Sequence, residues 1–446
     1  MKKNSFDIFV IGGGSGGVRA ARYAASKGFK VGLAEGWDLG GTCVNRGCIP
    51  KKLYSYASHF SDEFTLMNSF GWSSSKPKFS WEKLVRNKKK ELVRLNKIYK
   101  KLLLDSNVEL FENYASFLTN EEILINNTII RSKKFIIAVG TKPKSLNFCN
   151  SKKIITSDQV FDLKSLPKKV LILGGGYISV ELASIFCGLG VETTISLRSN
   201  NILRGFDQDI SNFLMQQMAL KGVNFLTKKF PLKINSEKNY LDVNFSDKSS
   251  KKFDLVIEAV GREPNLNKLN IKNSRIKLSK NSSIIVNKNF RTTQENIYAI
   301  GDIIDKVQLT PVAIAEAMWL VDSFSTKSLV NFDYSNIPTA VFSNPNLACV
   351  GLTEEEAKKK YKKIKVYKSK FRPLRLVLSS SKEEVFIKIL INKSNDKILG
   401  MHFVGENAPE IIQGFSVAVV NGLTKSQIDK TIGIHPTIAE ELVTMK

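Results

Sequence analysis

One pattern occurs twice in this chain and restricts its fold more than anything else. FDIFVIGGGSGGVRAARYAASKGFKVGLAE, residues 6 to 35, is an apolar run, a glycine loop, a helical stretch and a second apolar run ending in an acid. Gly12, Gly14 and Gly17 supply G-x-G-x-x-G, with Ser15 and Gly16 between them, and Glu35 closes the unit. Such a loop lets a pyrophosphate approach a helix N-terminus, whose amides and dipole favour negative charge. An acid at the end of the second strand accepts hydrogen bonds from an adenosine ribose. The second copy is KKVLILGGGYISVELASIFCGLGVETTISLR, residues 168 to 198. Gly174 and Gly176 hold the first two glycine places, Ser179 takes the third, and Tyr177 and Ile178 lie between. Its second strand ends at Arg198, with Arg204 six residues on. Arginines there suit a ribose 2'-phosphate, which an acid would repel.

The repeat extends beyond the loops. FIIAVGTKP (135–143) and LVIEAVGREP (255–264) are apolar strands running into A-V-G-x-x-P, each following its own loop. Two such units predict two bound dinucleotides, with electrons able to pass between them. NIYAIGDI (296–303) is a further strand ending at Gly301-Asp302, an acid placed to hold a polyol hydroxyl. From 336 onward, strand-like runs (TAVFS, VFIKILIN, ILGMHFVG) precede helical ones (PEIIQGFSVAVVNG, TIAEELVTM), the pattern of an α+β domain. The expected fold is α/β: two Rossmann-like dinucleotide-binding domains and a C-terminal α+β dimerisation domain. The expected boundaries are 1–143 and 265–335 for the first dinucleotide domain, 144–264 for the second and 336–446 for the last.

The 446 residues carry a net charge of +26. Lysine runs such as Asn87–Lys90 and Lys358–Lys360 come without aromatic platforms or zinc spacings. They read as solvated faces that attract anionic ligands rather than as a nucleic-acid site. No apolar run is long enough to span a bilayer. Lys2 and Lys3 precede an apolar stretch that runs straight into the glycine loop, so the start reads as a first strand of a cytoplasmic protein, not a signal peptide.

Two of five cysteines sit in GGTCVNRGCIPKK, residues 40 to 52. Cys149, Cys187 and Cys349 are scattered and read as small buried hydrophobes. Zinc needs about four ligands, and His59, His402 and His435 form no spacing with the pair; no metal site is expected. A permanent staple is poorly motivated in a reducing compartment. A redox couple fits better. Gly47 relaxes the backbone between Cys43 and Cys48, Pro50 favours a helix start, and Lys51 adds positive charge, a setting that stabilises a thiolate at Cys48. Exchange also needs an acid–base group, and IGIHPTIAEE offers His435 near Glu440. Thr437 and Glu440 also spell a capping box, which alone accounts for the glutamate; spacing leaves both readings open.

GGTCVNRGCIPKK, GGGYISVELA, LRGFD, IYAIGD, LTPVAIAEA, VGLTEEEA and HPTIAEELVTM together resemble the class I flavoprotein disulfide reductases over nearly the whole chain. The resemblance implies a homodimeric enzyme that reduces glutathione disulfide with NADPH, through FAD and a Cys43–Cys48 disulfide, and so maintains cellular thiol balance. It implies FAD contacts from Gly12 through Gly17 and from Glu35, Thr42, Cys43, Lys51, Ala115, Asp302 and Thr310. It implies NADPH contacts from Gly174 through Ile178, and from Glu181, Arg198, Arg204 and Gly261, with Tyr177 as an aromatic gate. Lys51 and Glu181 are implied to pair beside the flavin. Cys48 is implied to be the flavin-proximal thiol and Cys43 the interchange thiol. His435, oriented by Glu440, is implied to be the acid–base, contributed by the other subunit. Ser15, Arg22 and Tyr99 match positions that contact glutathione disulfide, whereas Met318 stands where many members carry an arginine for a glycyl carboxylate. Arg198 and Arg204 argue against an NAD-linked dihydrolipoamide dehydrogenase, Arg22 against a cationic disulfide such as trypanothione's, and the ending LVTMK against mercuric reductase.

Overall fold

The computed structural model describes residues 4–73, 75, 77–325 and 331–446; the leading lysine pair lies outside them. It divides into two compact units. The first takes the residues up to Pro50, Glu82–Lys144 and Gly261–Asp333; the second takes Lys51–Trp81, Ser145–Val260 and Tyr334–Lys446.

In the first unit the strand Asn4–Ile11 is the spine of the sheet. Phe6, Ile8, Phe9, Val10 and Ile11 are all buried, the near-continuous apolar run, broken only by Asp7, expected of a parallel strand covered on both faces. It pairs in parallel with Val31–Ala34 on one side and with Thr128–Ile137 on the other. The ten-residue strand Thr128–Ile137 serves two neighbours: its first half pairs antiparallel with Glu122–Ile125, its second half parallel with Ile297–Ala299. Register aligns Ala34, Ile11, Ile137 and Ala299 in one row. Glu35, Gly12 and the Gly301–Asp302 turn therefore leave the sheet at the same carboxyl edge, where open α/β sheets bind ligands.

The second unit repeats this layout. Lys169–Leu173 is flanked by Glu192–Ser196 and Leu255–Glu258, with Asn224–Leu226 and Ile154–Thr156 outermost, all parallel. Ser196, Leu173 and Glu258 share a row, so Gly174 and Arg198 follow from one edge. The two A-V-G-x-x-P repeats have a use of their own. Thr141–Pro143 and Arg262–Pro264 pair antiparallel in the first unit, Pro143 opposite Arg262.

Within the second unit, the C-terminal residues form a five-stranded antiparallel sheet covered by the helix Ala408–Val420, with Ile387, Ile389, Met401, Phe403 and Ile412 at its centre. Two strands were not foreseen. Leu347–Gly351 is the run holding Cys349, opposite His402, and burial pushes that thiol up to about 12. Ile364–Phe371, IKVYKSKF, hides among lysines because it is an edge strand, where charged side chains discourage further pairing. TIAEELVTM is not a continuous helix: a 3₁₀ turn at Ile438–Glu440 leads into the single turn Glu441–Thr444. Among the described residues no helix is long and apolar enough to cross a membrane.

A buried ion cluster ties this unit together. Lys388, 1% exposed, donates to both oxygens of Asp207 at 2.7 and 2.8 Å and to Asp209 at 2.8 Å, and pairs with Glu354 at 2.8 Å. Burial alone would raise the Asp207 carboxyl; hydrogen bonds from Lys388 and the Glu354 amide outweigh it and hold the group below its ordinary value. A lowered carboxyl stabilises the fold above its unfolded pKa and loses that contribution as pH falls through the folded value. Lys388→Ala is expected to cost about 3–5 kcal/mol at neutral pH, because it leaves a buried carboxylate unpaired. In denaturant titrations the gap from wild type should narrow as Asp207 protonates below its ordinary 3.8; a gap independent of pH would contradict this role.

Candidate functional site

At the first loop the glycines answer to particular atoms. Gly12 has φ +108°, and a Cβ there would lie 2.5 Å from the Ala138 carbonyl oxygen. A Cβ on Gly17 would collide with the Gly12 carbonyl. The helix Ser15–Ser26 starts at Gly14 with no side chain capping it and no acid in its first turn, so its first amides remain open to an anion. Glu35 accepts from the Gly13 amide at 2.6 Å and from Trp37 at 2.8 Å. Burial raises its carboxyl, against the pull of those amides. Asp302 accepts from the Thr141 hydroxyl at 3.1 Å, and burial raises it too. Arg262 holds Thr141 in turn, donating to its Oγ1 at 2.8 Å and its carbonyl at 2.7 Å. Thr141 and Arg262 went unnoticed in the sequence, although both lie in the A-V-G-x-x-P repeats. Ala115 is buried at the start of the strand Ala115–Phe117.

The cysteine segment is built directly onto this loop. Gly40 and Gly41 have φ of +89° and +59°, and a Cβ on Gly41 would come within 2.8 Å of the Gly14 Cα. The helix Gly41–Arg46 carries Thr42 and Cys43; Gly47, at φ −142° and ψ −113°, interrupts it, and Cys48 opens the helix Cys48–Met67. The first residue of a 20-residue helix favours negative charge on its sulfur. Pro50 lies in the first turn, where its missing N–H costs nothing. Both cysteines are free thiols. Cys43 hydrogen-bonds Cys48, and that bond, then burial, pushes the Cys43 thiol far up, while the Thr310 and Ser15 hydroxyls act against the shift. The Cys48 sulfur lies 3.8 Å from the Thr310 hydroxyl. Buried Asn45 fixes the segment by donating to the Leu39 and Gly41 carbonyls at 3.0 Å. It also accepts from Asn96 at 2.9 Å, drawing the helix Trp81–Leu104 alongside. Tyr99, one turn on from Asn96, is half-buried; Arg22 donates to Ser106 at 3.3 Å. Met318 is half-buried on the helix Thr310–Ser325.

In the second unit, Gly174 again has a positive φ, +116°, against the Ala259 carbonyl. Ser179 replaces the third glycine by a different device: its buried hydroxyl donates to the Gly174 carbonyl at 2.6 Å. Gly176 caps the helix Tyr177–Gly188 and has open space where a Cβ would be. Tyr177 is the exposed first residue of that helix, with Ile178 next. Gly261, which belongs to the first unit, has φ +120° and also faces open space. Arg198 and Arg204 are exposed, and the Arg198 guanidinium lies 4.4 Å over the Phe230 ring. Lys51 and Glu181 form a largely buried ion pair at 2.9 Å. Phe342, also missed in the sequence, completes it. Its amide donates to the same Glu181 oxygen at 2.9 Å, and its ring centroid is 3.9 Å from both Lys51 and Lys52 ammonium groups.

His435 is 81% exposed, its Nδ1 3.2 Å from each Glu440 oxygen. Thr437 accepts from the Glu440 amide at 3.2 Å. The capping box is therefore incomplete: Thr437 takes the Glu440 amide, but the Glu440 carboxylate faces the imidazole instead of the Thr437 amide, so the cap does not account for the glutamate.

Two family models cover most of the chain: pyridine nucleotide-disulphide oxidoreductase over residues 6–317, and the dimerisation domain of the same family over residues 337–446. The chain is 39% identical over 446 residues to a glutathione reductase of Burkholderia cepacia, spanning 100% of this chain and 99% of that one. It is 40% identical over 457 residues to the chloroplastic/mitochondrial glutathione reductase of Pisum sativum, spanning 100% and 83%. It is 38% identical over 455 residues to a glutathione reductase of Nostoc, spanning 99% of each. A doubled dinucleotide sheet, a thiol pair seated on the first of its loops and this similarity along the full length make the chain a member of the pyridine nucleotide-disulphide oxidoreductases.

Proposed function

We propose that the chain reduces glutathione disulfide to glutathione with NADPH, as a homodimeric flavoenzyme. The observation that carries this reading is the free thiol pair packed onto a dinucleotide loop, Gly41 against Gly14 and Cys48 against Thr310. In this reading residues 1–143 and 265–335 hold FAD, 144–264 hold NADPH, and 336–446 join the subunits. Gly12 through Gly17 take the FAD pyrophosphate, with Glu35 and Asp302 on its hydroxyls and Thr42, Ala115 and Thr310 lining the site. Gly174 through Ile178 and Gly261 take NADPH, and Arg198 and Arg204 read its 2'-phosphate. Bound there, the dinucleotides supply a hydride from NADPH to FAD and two electrons that open the Cys43–Cys48 disulfide. Lys51, its ammonium fixed by Glu181 and Phe342, would supply a positive charge that favours electron gain by the flavin.

The remaining steps belong to the side chains. A Cys43 thiol that holds its proton needs a base before it can attack. His435, steadied by Glu440, takes that proton as Cys43 bonds to one sulfur of the substrate, and returns it to the departing glutathione thiolate. Cys48, as its thiolate, then attacks the mixed disulfide at Cys43, the Cys43–Cys48 bond reforms, and the second glutathione leaves as a thiolate that takes a proton from solvent. An exposed His435 beside exposed Ile432 and Ile434 suits a residue that acts across a subunit boundary. A reducing compartment, the cytoplasm, suits a catalytic rather than structural disulfide.

The test is oxidation of NADPH and NADH by the purified yellow protein with glutathione disulfide, lipoamide and trypanothione disulfide. NADPH with glutathione disulfide should be fastest; a preference for another disulfide or for NADH would overturn the reading. Cys43→Ser should abolish disulfide turnover while NADPH still bleaches the flavin. Arg198→Ala with Arg204→Ala should raise KM for NADPH about 10–100-fold, from the loss of charge-assisted hydrogen bonds. KM for NADH should move little; equal effects would mean that the arginines do not read the phosphate.

A further inference from the structure

The two arginines that follow the strand Glu192–Ser196 are held in different ways. Arg204 is fixed through its backbone. The buried Leu203 before it donates its amide to the Gly175 carbonyl at 2.6 Å and so ties this turn to the second glycine loop. Arg198 is exposed, and among the described residues its guanidinium has no hydrogen-bond or ion-pair partner. What touches it is an aromatic ring: the guanidinium carbon lies 4.4 Å from the centre of Phe230. That ring has a fixed seat. It packs against a core containing Leu171, Leu173, Ile234, Val243 and Phe245. Pro231 follows it and disfavours helical backbone at Phe230. The Phe230 carbonyl accepts from the Ser246 amide at 3.1 Å. The residues just before the ring are bonded to the segment that carries the arginine. The Lys228 amide donates to the Ser199 carbonyl at 3.1 Å, and the Ser196 hydroxyl donates to the Lys229 carbonyl. Ring and guanidinium are thus carried by segments joined on either side of Arg198.

A free arginine loses much of its rotamer freedom when it closes on a ligand, and a side chain already held in place loses less. A ring attracts a guanidinium through its charge and takes none of its N–H donors, so all five stay available to phosphate oxygens. We infer that Phe230 is a positioning residue for Arg198: its ring holds the guanidinium ready for the 2'-phosphate of NADPH and so contributes to the choice of NADPH over NADH. An aliphatic side chain at 230 would keep the packing against the core and lose the attraction for the cation. A tyrosine would keep both. The proposal rests on the reading of Arg198 given above.

The test uses the full chain with its flavin and measures binding of 2'-phosphoadenosine 5'-phosphate by titration calorimetry. Phe230→Leu should raise Kd for this nucleotide about 3–10-fold, the loss expected when one side chain must be ordered on binding. In turnover, KM for NADPH should rise by the same factor, while kcat and KM for NADH change less than about twofold. Flavin content and bleaching by NADPH establish that the variant is folded. Phe230→Tyr should match wild type. Phe230→Leu combined with Arg198→Ala should bind the nucleotide no more weakly than Arg198→Ala alone, because the ring acts through that arginine. An unchanged Kd in Phe230→Leu, an equal rise in KM for NADH, or losses that add in the double variant overturns the proposal and leaves the enzyme reading intact. Wild-type affinity for the nucleotide in Arg198→Ala overturns the reading of that arginine, and this proposal with it.

Discussion

The carbonyl oxygen of Gly12 occupies the space that any side chain on Gly17 would need. That close approach holds the helix Ser15–Ser26 against the strand Asn4–Ile11 and opens its first amides at the carboxyl edge of the sheet. The same row of strand ends delivers Glu35 and Asp302 to that edge. The cysteine segment depends on it as well, since Gly41 can rest on Gly14 only without a side chain of its own: a Cβ there would come within 2.8 Å of the Gly14 Cα. Backbone packing at one loop thus places both a dinucleotide cradle and the thiols that would draw electrons from it.

The thiol pair is asymmetric. Cys48 begins a long helix and contacts a threonine hydroxyl, whereas Cys43 is more buried and retains its proton through its bond to Cys48. The asymmetry assigns different work to two chemically identical side chains. In the proposed reaction one would carry negative charge and the other would be deprotonated at the moment of attack. In the same proposal the exposed His435–Glu440 pair would serve as the base for that step.

Much of this was legible in the sequence because the constraints are local. A glycine forced to positive φ, an acid one residue after a strand, and two cysteines flanking a glycine can each be read within a few residues. What escaped depends on contacts remote in sequence. Thr141 and Arg262 come from the two repeats 121 residues apart and meet only because those repeats pair with each other. Phe342 joins Glu181 from 161 residues away, and nothing around it marks it as more than an apolar strand residue. Asn45 stood inside the most telling motif but has no charge or reactivity to draw notice, and its partners become visible only once the helix Trp81–Leu104 is in place. Ser179 was read as small enough to replace a glycine; its hydrogen bond to Gly174 shows a contact that glycine itself could not make.

The central claim is that electrons entering at a dinucleotide leave through Cys43 and Cys48. The most direct test is anaerobic reduction of the oxidised protein with one equivalent of NADPH, followed by alkylation and peptide mapping. The account predicts new alkylation at Cys43 and Cys48 alone, with Cys149, Cys187 and Cys349 unchanged from the untreated protein. Flavin bleaching without new thiols at those two positions would contradict it.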